Sequence, residues 1–146
     1  MLELDFNLDP AMVFFLRGNL QGIFESLQEK GQVRGYMPEE ADDQEFWVDG
    51  LRDENLEALE ALLHLVKTDS FGLKSIAIEM EDIFAVLRAC SCLRLHLRSA
   101  ALRRLTDEAL EAATFDMHGL RGGEHDAFGV YMLLAHLQSV ILDALD

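Results

Sequence analysis

Residues 80–104 read MEDIFAVLRACSCLRLHLRSAALRR, and the rest of the chain is read around this stretch. On a helix of 3.6 residues per turn, Ile83, Val86, Cys90, Leu93, Leu97 and Ala100 fall on one stripe. Phe84, Leu87, Leu95 and Leu102 fall on a second stripe beside it, and Ala85, Arg88, Cys92, His96, Ser99 and Arg103 occupy the remaining arc. A surface helix needs an apolar face of only about 100°. This face is much wider and no proline or glycine interrupts it, so the expectation is a long central helix over about residues 80–104, packed by neighbours on several sides.

The charge of the stretch sets it apart. Between Ile83 and Thr106 there are five arginines and no acid, whereas residues 1–82 carry 19 acids against 6 bases and residues 107–146 carry 8 against 1. Arg94 and Arg98 lie one turn apart, in the apolar arc between the two stripes. A buried arginine without partners is very costly, and the acidic segments on either side can supply them. The expectation for Arg94 and Arg98 is a structural ion-pair network inside the fold; an anion-binding site is the alternative.

Working outward, Leu2, Leu4, Phe6 and Leu8 alternate with polar residues, as in a half-buried strand. One strand alone is not stable. Ile76, Ile78 and Met80 alternate in the same way, so the reading is a small two-stranded sheet of residues 2–6 with 75–79; extending the central helix back to Ser75 competes with it. Asp9-Pro10 is a helix start, an N-cap acid followed by proline at the first helical position. Val13, Leu16, Leu20, Ile23, Phe24 and Leu27 then follow helical spacing, to an end near Glu29 before Gly31. Gly18 and Gly22 either weaken this helix or admit the close approach of another.

Residues 31–50 are the least regular, broken by Gly31, Gly35 and Pro38. Here Glu39, Glu40, Asp42 and Asp43 stand next to Phe46 and Trp47. Such a segment tucks Trp47 into the core or forms a partner-binding element, an aromatic anchor set among acids. Asp49 or Asp53 caps a helix reaching about Lys67 with Leu56, Leu59, Leu63 and Val66 on its stripe, and Gly72 follows its end. Thr106-Asp107-Glu108 starts a short helix to about Ala113, and Gly119 to Gly123 form a loop. The last helix runs from about Asp126 to Leu145, with Val130, Tyr131, Leu134, Leu137, Ile141 and Leu145 on its apolar face. Met132, Leu133, Val140 and Leu142 broaden that face, which points to a homodimer. The fold class is therefore mainly α: one helical domain, 1–146, around a central helix, with the small sheet at its side.

The composition narrows the function. The net charge is −15 and the pI near 4.5. Nucleic-acid phosphates and anionic membrane surfaces call for clustered Lys and Arg, so neither is an expected partner, whereas a protein with a basic or apolar surface is. Solubility alone also accounts for such a charge. No apolar run approaches ~18 residues, and the N-terminus has no basic region leading into an apolar block, so neither a membrane span nor a signal peptide is expected. Cys90 and Cys92 point about 200° apart on a helix, so they neither bridge nor share a metal. Reduced thiols fit a cytoplasmic location.

Two pieces, LRACSCLRLHLRSAAL at 87–102 and YMLLAHLQSVILDAL at 131–145, together with the strand leading into Leu8-Asp9-Pro10, resemble the bacterial domain of unknown function 2017 family. Leu93-Arg94-Leu95 matches the L-R-L core of that family's long helix, and Tyr131 with Leu137-Gln138 matches its last helix. The chain departs at Met132 and Leu133, where the family pattern has an acid and a tryptophan. The resemblance implies a helical fold in the bacterial cytoplasm and carries no established activity. Some members are thought to be encoded near an adaptor of the Clp protease, which points towards regulated proteolysis.

Catalytic and metal motifs are sparse. Gly119-Leu120-Arg121-Gly122-Gly123 lacks the Lys-Ser/Thr and the preceding strand of a phosphate loop, and no Gly-x-Ser-x-Gly elbow occurs. Glu60 and His64 are one turn apart, and Glu124-His125-Asp126 gathers ligand types at a helix start; a surface pair and first-turn capping account for them. A di-metal bundle needs Glu-x-x-His on two helices. No catalytic residue, metal ligand or cofactor is therefore assigned. The expected function is a non-catalytic acidic interaction or regulatory module, with Glu39, Glu40, Asp42, Asp43, Phe46 and Trp47 as its partner-binding element. A metal-binding helical protein or enzyme using His and Glu ligands, and an acidic mimic of nucleic acid, are the alternatives.

Overall fold

A computed structural model of the chain describes residues 1–30, 55–69, 71–73, 75–102, 105 and 123–146. In chain order these form strand β1 (Leu2–Asp5), helix α1 (Pro10–Lys30), helix α2 (residues 55–66), strand β2 (Ser75–Ile78), helix α3 (Met80–Ser99) and helix α4 (Glu124–Leu145). The expected helix after Thr106 and the acidic–aromatic run at 39–48 lie outside the described residues.

The sheet forms as the alternation predicts. β1 and β2 pair antiparallel, Leu2 opposite Ile78 and Leu4 opposite Ile76. Leu4, Ile76 and Ile78 face the core, and Phe6 continues the buried row just beyond β1. Asp9 then caps α1, its side chain accepting from the Ala11 amide at 2.9 Å.

Each helix commits one face to a shared core. α4 lies along α3 and also touches α1 and β1. Counting consecutive apolar residues does not flag α4, but its 22 residues include an 18-residue stretch of mean hydropathy 1.5, long and apolar enough to cross a membrane. In this fold Tyr131, Leu134, Leu137 and Ile141 are buried against the neighbouring elements instead. Gly129 allows α1 to come close, since a Cβ there would stand 3.1 Å from the Phe15 ring. Among the described residues, none comes within 4 Å of a Cβ position at Gly18 or Gly22. These two glycines meet no helix among the described residues and open on a groove of about 300 Å³ shared with Asn19, Ile23 and His96.

α3 departs from its expected form in two ways. The first stripe is buried as far as Leu97, but Phe84 and Leu95 of the second stripe are 72% and 41% exposed. The buried arc instead turns the other way, through Ala89 and Cys92, and covers about half the circumference. The helix also ends at Ser99 rather than near residue 104. Continued as a helix, Leu102 would stand on the same face as Phe84, eighteen residues earlier, and so in solvent. The turn after Ser99, held by the Leu102 amide on the Leu97 carbonyl at 2.7 Å, places Leu102 at 0% exposure.

Arginine side chains tie helices together. Arg17 of α1 donates through Nε to the Val66 carbonyl and through a terminal nitrogen to the Thr68 carbonyl at 2.8 Å. A cation there satisfies orphan carbonyls and faces the negative end of the α2 dipole. Just beyond, Gly72 holds a positive φ of 79° and its carbonyl accepts from the Leu8 amide at 2.7 Å. A Cβ at Gly72 would stand 2.6 Å from Val13 Cγ2. Gly72→Ala is therefore expected to lower stability by more than the ~1–2 kcal/mol of left-handed backbone strain alone, read as a lower urea midpoint; an unchanged midpoint would mean that the loop relaxes without disturbing α1.

Candidate functional site

The seam between α3 and α4 holds a polar cluster in an otherwise apolar contact. Gln138 sits two turns after Tyr131 on the buried face of α4, and both are nearly inaccessible. A buried amide must find partners, and Gln138 finds them on α3. Its Oε1 accepts from an Arg94 terminal nitrogen at 2.7 Å, and its Nε2 donates to the Leu87 carbonyl at 3.1 Å and to Ser91 Oγ at 2.8 Å. The amide orientation follows from chemistry, since a guanidinium only donates and a carbonyl only accepts. The other terminal nitrogen of Arg94 donates to the Tyr131 hydroxyl at 3.1 Å, and the guanidinium carbon lies 4.7 Å from the centre of the same ring. Earlier residues of α3 thus meet later residues of α4, so the two helices run antiparallel.

The expected ion pair is not what Arg94 makes. Its partners are a neutral amide oxygen, a phenol oxygen and a π face, and its Nε is buried with no acceptor. The acids of the chain fall within residues 1–82 and 107–146, whereas among the described residues the side chains that meet Arg94 across the seam are Gln138 and Tyr131. Arg98, one turn on, is half-buried beside the same cluster. Ser91, Arg94, Leu95, Arg98 and Tyr131 line a cavity of about 250 Å³. Ser91 escapes a reading of the sequence because a serine mid-helix carries no spacing signal. Gln138 does carry one: a lone amide on an apolar face implies a buried partner.

The remaining candidates do not converge. Glu60 and His64 are both exposed on α2. In the first turn of α4, Glu124 is buried while His125 and Asp126 are exposed, so the three do not face one point. Among the described residues no three His, Cys, Asp or Glu side chains are grouped as a metal site would require. Glu39, Glu40, Asp42, Asp43, Phe46 and Trp47 lie outside the described residues.

Both thiols next to the seam are muted. Burial pushes Cys90 up from 9.0 to about 12, with the Arg94 charge opposing it in part. Burial also raises Cys92, with Arg88 opposing. A thiolate is the reactive form, so neither cysteine is placed for nucleophilic or redox chemistry.

Comparison of the chain with protein-family models, with curated proteins and with solved structures finds no match.

Two outcomes follow from the seam. Gln138→Leu leaves the Leu87 carbonyl and Arg94 without their amide partner. It should cost about 1–3 kcal/mol, seen as a lower urea midpoint; a midpoint equal to wild type would mean that solvent replaces the amide freely. The folded pKa of Cys90 lies above its unfolded value, so the folded chain keeps a proton that the unfolded chain releases. That contribution is complete below pH 9 and fades as pH rises towards 12. Urea midpoints measured upward from pH 8 should therefore fall, and fall less steeply in Cys90→Ala.

Proposed function

We propose that this chain is a non-catalytic interaction or regulatory module of the bacterial cytoplasm, working through a protein partner. The observation that carries the reading is the outward face of α3. Phe84 and Leu95 stand exposed at nearly the same angle on the helix, eleven residues apart, with the exposed Arg88 between them and Arg98 beside them. An exposed aromatic and leucine on one stripe, edged by arginines, suit a contact surface better than solvent. The buried polar cluster of the seam is knitted into helix packing, and it brings together no nucleophile and base of the kind that group-transfer catalysis needs.

The acidic–aromatic residues Glu39, Glu40, Asp42, Asp43, Phe46 and Trp47 are proposed as a second contact element, for a partner whose surface is basic or apolar. A homodimer is the proposed assembly, with Met132 at 40% and Leu142 at 51% exposure on α4 as its apolar contribution. We also place the chain beside the domain of unknown function 2017 family. What supports this is that Arg94, Tyr131 and Gln138, the polar residues on which the resemblance rests, meet at one point between two helices. Regulated proteolysis is the process to which that kinship points.

The test is affinity capture from the native cell, paired with light scattering. The full chain should retain one defined partner. Phe84→Ser with Leu95→Ser should weaken capture through α3, and Trp47→Ala with charge reversal at Glu39, Glu40, Asp42 and Asp43 should weaken it through the acidic run. Undiminished capture by both folded variants would refute the two contact elements. Scattering at micromolar concentration should give twice the 16.5 kDa of one chain; a value of one chain would refute the dimer.

A further inference from the structure

Two hydroxyls that line the seam cavity keep their own hydrogen atoms. Gln138 Nε2 has no lone pair to offer, so Ser91 Oγ is the acceptor in their 2.8 Å contact and its own O–H remains available. Arg94 only donates, so the Tyr131 oxygen accepts from it at 3.1 Å and the phenol O–H remains available too. The guanidinium has one further unsatisfied group, the buried Nε. Among the described residues, Arg98, which can only donate whatever else it touches, and the apolar Leu95 also line the cavity. Hydroxyl and guanidinium donors thus converge on about 250 Å³.

The charge of the α3 segment that lines the cavity is equally one-sided. Despite the overall −15, the segment from Ile83 to Thr106 carries five arginines and no acid. Arg94 is also fixed in place: the Gln138 amide and the Tyr131 hydroxyl hold two nitrogens while the Tyr131 ring covers the plane. A cation held by neutral groups keeps its charge for a ligand, and holding it in advance reduces the ordering cost of binding. Guanidinium to oxyanion is among the stronger hydrogen-bond pairings.

We propose that Ser91, Arg94, Arg98 and Tyr131 form a binding site for a small free oxyanion, a phosphate or a compact carboxylate. The volume falls just under the ~300–1,000 Å³ of pockets for drug-sized ligands, which limits the occupant to a few heavy atoms. The orientation of Gln138 does the arranging: it directs its oxygen at Arg94 and its nitrogen at Ser91, and so leaves every hydroxyl proton of the cluster for the cavity. The site shares Leu95 and Arg98 with the edge of the outward stripe but not Phe84, and its readout is anion binding rather than protein capture, so the two readings fail separately.

The experiment is isothermal titration of the full chain with inorganic phosphate and, separately, with succinate, at ionic strength held constant with sodium chloride. One saturable site is expected for at least one of the two. Tighter phosphate assigns the phosphoryl class, and tighter succinate the carboxylate class. Ser91→Ala and Arg98→Gln leave the Arg94 contacts to Gln138 and Tyr131 in place. Each should weaken binding about tenfold, the loss of one charge-assisted donor, with circular dichroism unchanged. Backbone NMR shifts should move at residues 91–98 and around Tyr131. Absence of saturable heat for both anions, or binding by both folded variants at wild-type strength, would overturn the site.

Discussion

One amide decides how the two longest apolar faces of this fold meet. Gln138 is buried in α4, where an unpaired amide would cost on the order of 1–3 kcal/mol, so α4 can dock only where α3 offers both a donor and acceptors. Arg94 supplies the donor; the Leu87 carbonyl and Ser91 Oγ supply the acceptors. Apolar contacts alone tolerate sliding by a turn, because leucine against leucine is similar at each step. The amide does not tolerate it. It sets the register of α3 on α4, and through α4 the placement of α1 and β1, which pack on the same helix.

The same constraint explains how an arginine survives at a helix seam in so acidic a chain without a carboxylate. A buried ion pair must repay the desolvation of two charges. Here only one charge is partly desolvated, and a π face, an amide and a hydroxyl soften the cost while the cavity keeps the guanidinium edge near water. The arrangement suits a protein whose acids lie at its flanks, because it spares a second buried charge. It also leaves Arg94 electrically unspent.

Exposure on α3 follows a comparable division. The buried arc runs through Ile83, Val86, Ala89, Cys90 and Leu93, while Phe84 and Leu95 turn outward beside Arg88 and Arg98. The inner side mixes small residues, Ala89 and Cys90, with Ile83, Leu93 and Leu97, so burial here follows position on the helix and not side-chain size. Leu102 reverses the pattern: the helix stops at Ser99 and the chain brings that leucine inside.

The sequence by itself determined the elements whose signals are local. The alternation of Leu2, Leu4 and Phe6 with Ile76 and Ile78 specified both strands, because a period of two needs only a few residues to be legible. Asp9-Pro10 marked the start of α1 and Gly72 the break after α2, since capping and positive φ depend on one or two residues. The arginine-rich, acid-free character of 83–106 was equally plain. Tertiary structure alone decided the rest. Periodicity gives the angle between Phe84 and Ile83 but not which of them has a neighbour, so the second stripe of α3 read as core. Charge counting offered carboxylates to Arg94, but partner choice depends on which element lies across the seam, and that is a residue forty-four positions away. Ser91 joined the cluster for the same reason: a mid-helix hydroxyl has no meaning until the facing helix brings an amide within 2.8 Å.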